Sequence, residues 1–276
     1  MPDGCGAARR AGARLRFARA GGRTVLVGQH VTYPFHVTRV LRTTPEAALA
    51  ALYLQSASGG VYAGDDLALS LAVGEGAAAH VTTQSATVVN DARGWPARLA
   101  TEAAVAAGGF LALLPDPLVL FPGADLASET VLTLAHGATG VIAEAAGLHD
   151  PAGQGRSFAR YAGALTVRDA AGRTLLADRG EVTGAALGGS AVLGGWRAWG
   201  TLVVLGPASL LPDPAAVEAA AEAAGCLAGA GAAPNGIGLA VRLVGPDGGT
   251  LGRCIAALAR EAAYRLGGWV LLARGK

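Results

Sequence analysis

The pattern that decides the fold lies at residues 67–83, which read LALSLAVGEGAAAHVTT. Its first seven residues alternate branched apolar and small side chains, and this period of two is typical of a strand with one buried face. A glycine turn follows at residues 74–76, and a second apolar segment returns from Ala79. The stretch therefore predicts two strands joined by a tight turn.

The same unit, two apolar segments around a glycine turn, recurs along the chain at an irregular spacing of about thirty residues. The further turns lie at residues 107–110, 135–138 and 170–172. A single hairpin presents an apolar face that it cannot bury alone, so successive hairpins are expected to stack. We therefore predict a mainly β protein, built as a layered, β-helical stack of hairpins.

Two segments toward the C-terminus break this pattern and predict α-helices. Asp213 and Pro214 provide an N-cap and a first-turn proline before an alanine-rich run. Residues 250–266 carry apolar side chains at helical spacing, and the pair Gly267-Gly268 closes that stripe. The fold class is thus a β-stack with two α-helices near its C-terminal end.

Two other segments are less decisive. Thr44 and Pro45 have the form of a helix start, whereas residues 52–55 favour a strand, and both assignments remain open. Residues 1–22 contain five arginines, with no apolar segment of a targeting signal after them. We expect residues 1–22 to be a flexible basic arm, followed by a single domain over residues 23–276.

Composition restricts the function classes. The 276 residues carry a formal net charge of +2 with both signs spread along the chain, which gives no footprint for nucleic acid. No uncharged apolar run reaches 18 residues, so no membrane span is expected. The three cysteines, at positions 5, 226 and 254, are too far apart for a disulfide framework or a CxxC site. A reduced, cytoplasmic protein is expected.

The glycine cluster at residues 59–66, GGVYAGDD, has the glycine spacing of a phosphate loop. Asp65 and Asp66 stand where that loop needs a lysine and a hydroxyl, and a strand follows where it needs a helix, so phosphate binding is excluded. The five histidines form no metal-binding pattern, and no serine has the surroundings of a nucleophile elbow. No enzymatic motif remains, and no permanently bound cofactor is expected.

Several polar residues are unusual for a purely structural β-stack. They are the acids Asp65, Asp66, Glu144 and Asp178, and the hydroxyl-rich run at residues 82–87, which includes Thr83, Ser85 and Thr87. Each could be a solvent-facing residue or a strand end. Acids among buried strands are costly unless they are solvated or paired, so together these residues could line a polar interior.

At these residues the chain resembles the urease accessory protein UreD (UreH) family. The resemblance covers the chain from about Thr24 to the C-terminal helix and is carried by ordered blocks: SGGVxxGDxL at residues 58–67, VTTQSAT at 81–87, LPDPxxxF at 114–121 and VIAE at 141–144. A weaker VRLxG match lies at residues 241–245. The family implies a layered β-helical fold with two helices, in agreement with the pattern of turns.

The resemblance also implies a function. It implies a non-enzymatic scaffold in the cytoplasm that binds apo-urease with UreF and the GTPase UreG, which uses GTP, and through which nickel passes along an internal tunnel. The family's functional positions fall on Asp65, Thr87, Glu144 and Asp178, with transient nickel at Asp65 and Glu144. Oxygen ligands suit a divalent cation that must move on. Asp66, Thr83 and Ser85 are secondary candidates.

The resemblance also leads to an expectation about the surface that binds a partner, and two alternative functions remain beside it. The C-terminal helical region is expected to bind UreF, and Trp196, Trp199 and Trp269 are candidate anchors, with core packing as the alternative role for each. The alternative function, from another class of protein, is a β-helical carbohydrate-active enzyme. Such an enzyme would need two facing carboxylates and stacked aromatic residues. A purely structural β-stack would have no partner.

Overall fold

The computed structural model describes residues 9–44, 46–187 and 193–273. The strands are β1 Arg10–Ala20, β2 Arg23–Val31, β3 Phe35–Val37, β4 Ala50–Ser56, β5 Asp66–Val73, β6 Ala78–Thr83, β7 Thr87–Val89, β8 Ala97–Val105, β9 Phe110–Leu114, β10 Leu118–Leu120, β11 Asp125–Leu134, β12 Thr139–Leu148, β13 Arg160–Asp169, β14 Thr174–Thr183, β15 Ala198–Leu205, β16 Leu227–Ala232 and β17 Gly238–Gly245. The helices are α1 Gly184–Leu187, α2 Pro214–Ala223 and α3 Gly248–Gly267, with short 3₁₀ turns at Ala208–Leu210 and Pro234–Gly236.

The strands form two sheets that face each other. The first sheet has the order β14-β13-β11-β8-β5-β1-β2. The second has the order β16-β17-β15-β12-β9-β6-β4-β3, with β10 joining it beside β12 and β7. The prediction of a mainly β, stacked architecture is confirmed.

The connection between neighbouring strands differs from the predicted hairpins. The turn at residues 74–76 leads from β5 in the first sheet to β6 in the second, and the turns after β8 and β11 do the same. Each strand then pairs in parallel with its equivalent in the next coil, as β5 does with β8 and β8 with β11. The hairpin prediction is therefore wrong for these three turns, because alternation shows that a face is buried but not which strand lies beside it. The turn at residues 170–172 does join an antiparallel hairpin, β13–β14.

The prediction of a flexible arm over residues 1–22 is wrong for residues 10–20. These residues form β1, which lies inside the first sheet between β2 and β5. Leu15 and Phe17 are almost completely buried there, while Arg14 and Arg16 alternate with them on the outer face. Arg10, Arg14 and Arg16, which suggested a solvated arm, thus lie on the exposed face of an amphipathic strand. Residues 1–8 lie outside the described residues, and a single domain over 23–276 stays a prediction.

The open assignment at residues 44–55 is resolved in favour of the strand. β4 covers residues 50–56 and pairs in parallel with β6, while residues 46–49 contain no helix and Pro45 lies outside the described residues. Burial of Ala50, Ala51 and Leu52 in the core outweighs the local helix signal.

Both predicted helices are confirmed. α2 begins at Pro214 after Asp213, and α3 ends at Gly267 with Gly268 in the left-handed conformation of a helix C-cap. Asp247 caps α3 by accepting a hydrogen bond from the Thr250 backbone N–H. The four-residue α1 was not predicted. None of the helices described is long and apolar enough to cross a membrane.

Three apolar clusters hold these layers together. One fills the space between the second sheet and α2 and α3. The other two lie between the sheets: an inner cluster around Leu15, Leu132 and Ile142, and a second around Leu126 and Phe158. Cys226 and Cys254 are buried free thiols in the first cluster.

Candidate functional site

A polar layer separates the two apolar clusters between the sheets. Along β12, Ile142 belongs to one cluster and Ala146 to the other, and Glu144 lies between them on the same face. The same order occurs on β11, where Ser128 and Thr130 stand between Leu126 and Leu132. The inward positions of several strands therefore change from apolar to polar at one level. We call Thr83, Thr101, Ser128, Thr130, Glu144 and Thr201 the polar layer.

A cavity of about 250 Å³ follows most of this layer. Its exposed end, the mouth, is formed by Ser56, Gly59, Gln84, Ser85 and Ala86. Its inner end reaches Glu144, Thr130 and Tyr161. Six waters at roughly 30 Å³ each occupy roughly 180 Å³. The cavity is therefore large enough for a hydrated divalent cation.

Glu144 is the most perturbed acid at the inner end. Its side chain is half-buried and borders the cavity, and its Oε1 is buried without a hydrogen-bond partner among the described residues. Burial raises the pKa of Glu144 to about 7; a hydrogen bond with Thr130 opposes this shift, and the negative charge of Asp178 adds to it. A carboxyl in this state has unused capacity to bind a cation or a proton.

Tyr161 borders Glu144 at the same end. Burial and the nearby charge of Glu144 raise the pKa of the Tyr161 hydroxyl, and a hydrogen bond with Ser128 opposes them. The ring packs edge-on against Trp199, with centroids 5.9 Å apart. The inner end therefore combines one acid with neutral hydroxyls.

The hydroxyl run supplies the mouth and the wall beside it. Thr83, Ser85 and Thr87 all border the cavity, Thr83 at the end of β6 and Thr87 at the start of β7. The Asp116 backbone N–H donates to Thr83 Oγ1 at 2.8 Å, which ties the segment after β9 to β6. Three of the predicted residues are thus brought together with Glu144.

Asp116 is a cavity-lining acid that was not among the predicted site residues. It belongs to the LPDP motif at residues 114–117, so the motif that supported the resemblance already contained it. Its position after a buried strand was the available signal. The acids that border the cavity are Asp116 and Glu144 among the described residues.

Asp65 lies elsewhere and does not line this cavity. Its carboxylate is 3% exposed and accepts hydrogen bonds from Arg9 Nε at 3.0 Å and from the Tyr62 backbone N–H at 2.8 Å. Arg9 Nη2 also pairs with it, and the guanidinium lies over the rings of Tyr33 and Tyr62. Asp65 is therefore a fully paired acid that fixes a loop.

This Asp65 loop depends on its glycines. A Cβ on Gly60 would lie 2.6 Å from the backbone oxygen of Val88, so the loop can pack against β7 only with glycine there. Asp66, the next residue, sits on the outer face of the first sheet, 3.6 Å from both Arg10 and Arg98. The glycine cluster is a structural turn, as expected, but it directs neither aspartate into the cavity.

Asp178 approaches the polar layer from the opposite side to the mouth. It lies on β14, at the edge of the first sheet, and forms an ion pair with Arg242 of β17 in the second sheet. The negative charge of Asp178 contributes to the raised pKa of Glu144, although Asp178 does not border the cavity. Asp178 therefore belongs to the far end of the polar layer.

Two of the three tryptophan candidates are packing residues. Trp269 stacks on Phe110 at 5.5 Å between centroids, and Trp199 packs against Phe158 and Tyr161. Trp196 is half-buried. Trp95, 60% exposed, was not singled out in the sequence.

The cavity lining contains oxygen ligands, and neither histidine nor cysteine occurs among its described residues. Within the part of the chain that the structure describes, no group of three or more histidine, cysteine, aspartate or glutamate side chains is placed to hold a metal ion. Such a lining favours weak, exchangeable contacts with a hard cation over tight coordination. Fold and site together define a β-solenoid with a polar internal cavity.

The chain belongs to the urease accessory protein UreD family, whose profile matches residues 9–269. Urease accessory protein UreD 1 of Methylorubrum populi is 49% identical over 261 residues, covering 94% of this chain and 87% of the relative. UreD 3 of a Bradyrhizobium strain is 45% identical over 265 residues, covering 96% and 94%. The archaeal UreD of Haloarcula marismortui is 35% identical over 237 residues, covering 84% and 78%.

Proposed function

We propose that this chain is a nickel-insertion chaperone for urease. It acts in the cytoplasm without catalysis, as a scaffold that binds apo-urease together with UreF and the GTPase UreG. Nickel passes through it along a tunnel of which the cavity between the sheets is one part. The observation that carries the proposal is the buried, incompletely bonded carboxyl of Glu144 at the inner end of a hydroxyl-lined cavity.

The chemistry of the lining supports transit over storage. Carboxylate and hydroxyl oxygens bind divalent nickel more weakly than imidazole or thiolate ligands, so a cation that enters can also leave. Glu144 supplies a negative charge once it loses its proton, and the hydroxyls of the polar layer replace part of the hydration shell. Ser85 acts at the mouth, Thr83 and Thr87 act in the wall beside it, and Asp178 acts beyond Glu144.

Asp65 serves the same function indirectly. Because its carboxylate is bonded to Arg9 and to the Tyr62 N–H, it has little capacity left for nickel. The loop that it fixes includes Gly59, Gly60 and Val61, which border the mouth. We assign Asp65 to shaping the entrance and Glu144 to contacting the cation.

The outer face of α3 is the surface that best suits UreF. Tyr264 and Val270 are 62% and 56% exposed and form a groove with Trp269 and Leu271 beside Arg260 and Glu261. Exposed aromatic residues flanked by charges are typical of interface anchors. A carbohydrate-active enzyme is not favoured, because the chain belongs to the UreD family and Asp65 is committed to Arg9.

The test is complementation in cells that express urease but lack this chain. We expect urease to remain nickel-free and inactive without the chain and to be activated when it is restored. The restored chain, carrying an affinity tag, should co-purify with apo-urease and UreF. Normal urease activation in the deletion strain would overturn the proposal.

A further inference from the structure

The polar layer continues past Glu144 across the second sheet. In the register of β12, β15 and β17, Glu144 lies opposite Thr201, and Thr201 lies opposite Arg242. Thr201 shares its face with Val203 of the inner apolar cluster, so this row points into the space between the sheets. Adjacent strands are about 4.8 Å apart, so Arg242 stands about 10 Å from Glu144. The row therefore leads from the cavity to Arg242, whose side chain is largely exposed.

Arg242 closes this row at the surface. Its Nη1 donates to Thr201 Oγ1 at 2.7 Å, and its Nη2 pairs with Asp178. Asp178 lies in the first sheet and Arg242 in the second, so the pair bridges the gap between two sheets that share no ladder there. Nearby, Asn235 Nδ2 donates to the Leu175 oxygen of β14 at 2.6 Å and makes a second bridge on the same side.

The electrostatics of this end oppose the passage of a cation while the pair is intact. A guanidinium stays charged at every relevant pH, so Arg242 repels a divalent cation until its side chain moves away. The Arg242 side chain is 65% exposed, and such exposed pairs contribute little net stability. A competing charge, from a cation inside or a partner outside, can therefore displace it.

We propose that the Asp178–Arg242 pair is a latch that closes the second end of the passage. When the latch opens, Arg242 swings toward solvent and Asp178 becomes the carboxylate that a cation leaving Glu144 meets next. The row Glu144–Thr201–Asp178 then forms a continuous path of oxygen ligands from the cavity to the surface. The transport part of this inference rests on the proposed function, whereas the closure of the path does not.

Closure is tested by the access of a small cationic thiol reagent, a methanethiosulfonate ammonium compound, to position 201. The thiol is introduced by Thr201→Cys, which removes the hydrogen bond between Arg242 and Thr201 Oγ1 but keeps both partners of the Asp178–Arg242 pair. Labelling is followed by mass spectrometry of the peptide that contains position 201. Adding Arg242→Gln should speed the labelling about tenfold or more, because it removes both the obstruction and the repelling charge.

The matched control is Arg179→Gln, which removes the same charge from the adjacent, outward-facing position of β14. It should leave the labelling rate unchanged, and Arg242→Lys, which keeps the charge, should keep labelling slow. The exchange of both residues, Asp178→Arg with Arg242→Asp, should restore slow labelling. Equal rates with and without Arg242→Gln, or equal acceleration by Arg179→Gln, would overturn the latch.

Nickel-dependent urease activation tests the transport part. Arg242→Gln should activate urease at least as fast as the parent chain, whereas Asp178→Asn should slow activation although it also opens the latch. Faster labelling together with normal activation by Asp178→Asn would overturn the assigned path. Failure of the parent chain to support activation would overturn the proposed function, while the labelling result would still decide the latch.

Discussion

Asp65 and Glu144 are two acids of the same interior with opposite environments. The Asp65 carboxylate is held by Arg9 and by the Tyr62 N–H, so its charge is compensated where it is buried. Glu144 has no cation bonded to it among the described residues, and burial raises its pKa to about 7. The carboxylate of Asp65 thus fixes a loop, whereas the carboxyl of Glu144 keeps unused capacity to bind a cation or a proton.

The difference shows that burial alone does not identify a functional acid. A buried charge with a partner contributes to structure, and removing one partner leaves an uncompensated group. A buried acid without a cationic partner destabilises the fold in its charged form, which is acceptable where a ligand or proton supplies the missing positive charge. The following predictions test this contrast between Asp65 and Glu144.

The largest expected effect is on stability at the Asp65 loop. Asp65→Ala leaves Arg9 and the Tyr62 N–H without their shared acceptor and should lower the free energy of unfolding by about 3–4 kcal/mol. Urea denaturation at pH 7 measures the change. The control is Asp66→Ala, whose carboxylate is exposed, and which should stay within about 0.5 kcal/mol of the parent chain. Equal losses for both variants would remove the distinction between the two aspartates.

Glu144→Gln should change the free energy of unfolding in the opposite direction, because it should stabilise the protein at high pH. Because the folded-state pKa of Glu144 is raised to about 7 from 4.5, the folded protein binds this proton more tightly than the unfolded chain. The free energy of unfolding should therefore fall as pH rises from about 5 to 8, by at most about 3 kcal/mol from this group. The variant lacks this loss and should be more stable than the parent chain at pH 8 but not at pH 4.5.

The measurement is thermal or urea unfolding of both chains across that pH range. The difference in the free energy of unfolding between the parent chain and Glu144→Gln should open between about pH 5 and 8 and then level off. Parallel profiles would show that Glu144 titrates normally and is compensated like Asp65.

At the mouth the expected effects are smaller. Thr83→Val removes the acceptor of the Asp116 N–H and should cost about 1 kcal/mol in the free energy of unfolding. The exposed Ser85 provides the control, because Ser85→Ala should change stability by less than about 0.5 kcal/mol. A cost above about 3 kcal/mol at either position would place the mouth among the structural contacts of the fold.

Sequence patterns predicted the strands and their stacking better than they predicted how consecutive strands are connected. Period-two alternation at residues 67–73 and the glycine turns establish strands and stacking, and capping residues establish α2 and α3. Whether a strand turns back or enters the opposite sheet depends on long-range pairing that alternation does not encode. The same pattern in β1 was hidden by its arginines, because a charged face suggests a solvated arm when the buried Leu15 and Phe17 are not counted with it.

The candidate site was predicted in part for a similar reason. Thr83, Ser85, Thr87 and Glu144 meet in one cavity, although they lie about sixty residues apart in sequence, because successive coils bring them to one level. Asp65 was expected beside them, but Arg9, the first of the five arginines in residues 1–22, gave no sign in the sequence that the two would pair. Arg242 belonged only to the weaker VRLxG match, and its place in the row from Glu144 became visible only through the register of three strands.

The central claim is that Glu144 contacts the nickel that passes through this chain. Its most direct test is nickel-dependent activation of urease by Glu144→Gln, beside Asp66→Asn as a control, in cells that lack the native chain. The account predicts that Glu144→Gln still binds apo-urease and UreF but activates urease about tenfold or more slowly, while Asp66→Asn activates it normally. Full activation by Glu144→Gln at limiting nickel would contradict the account.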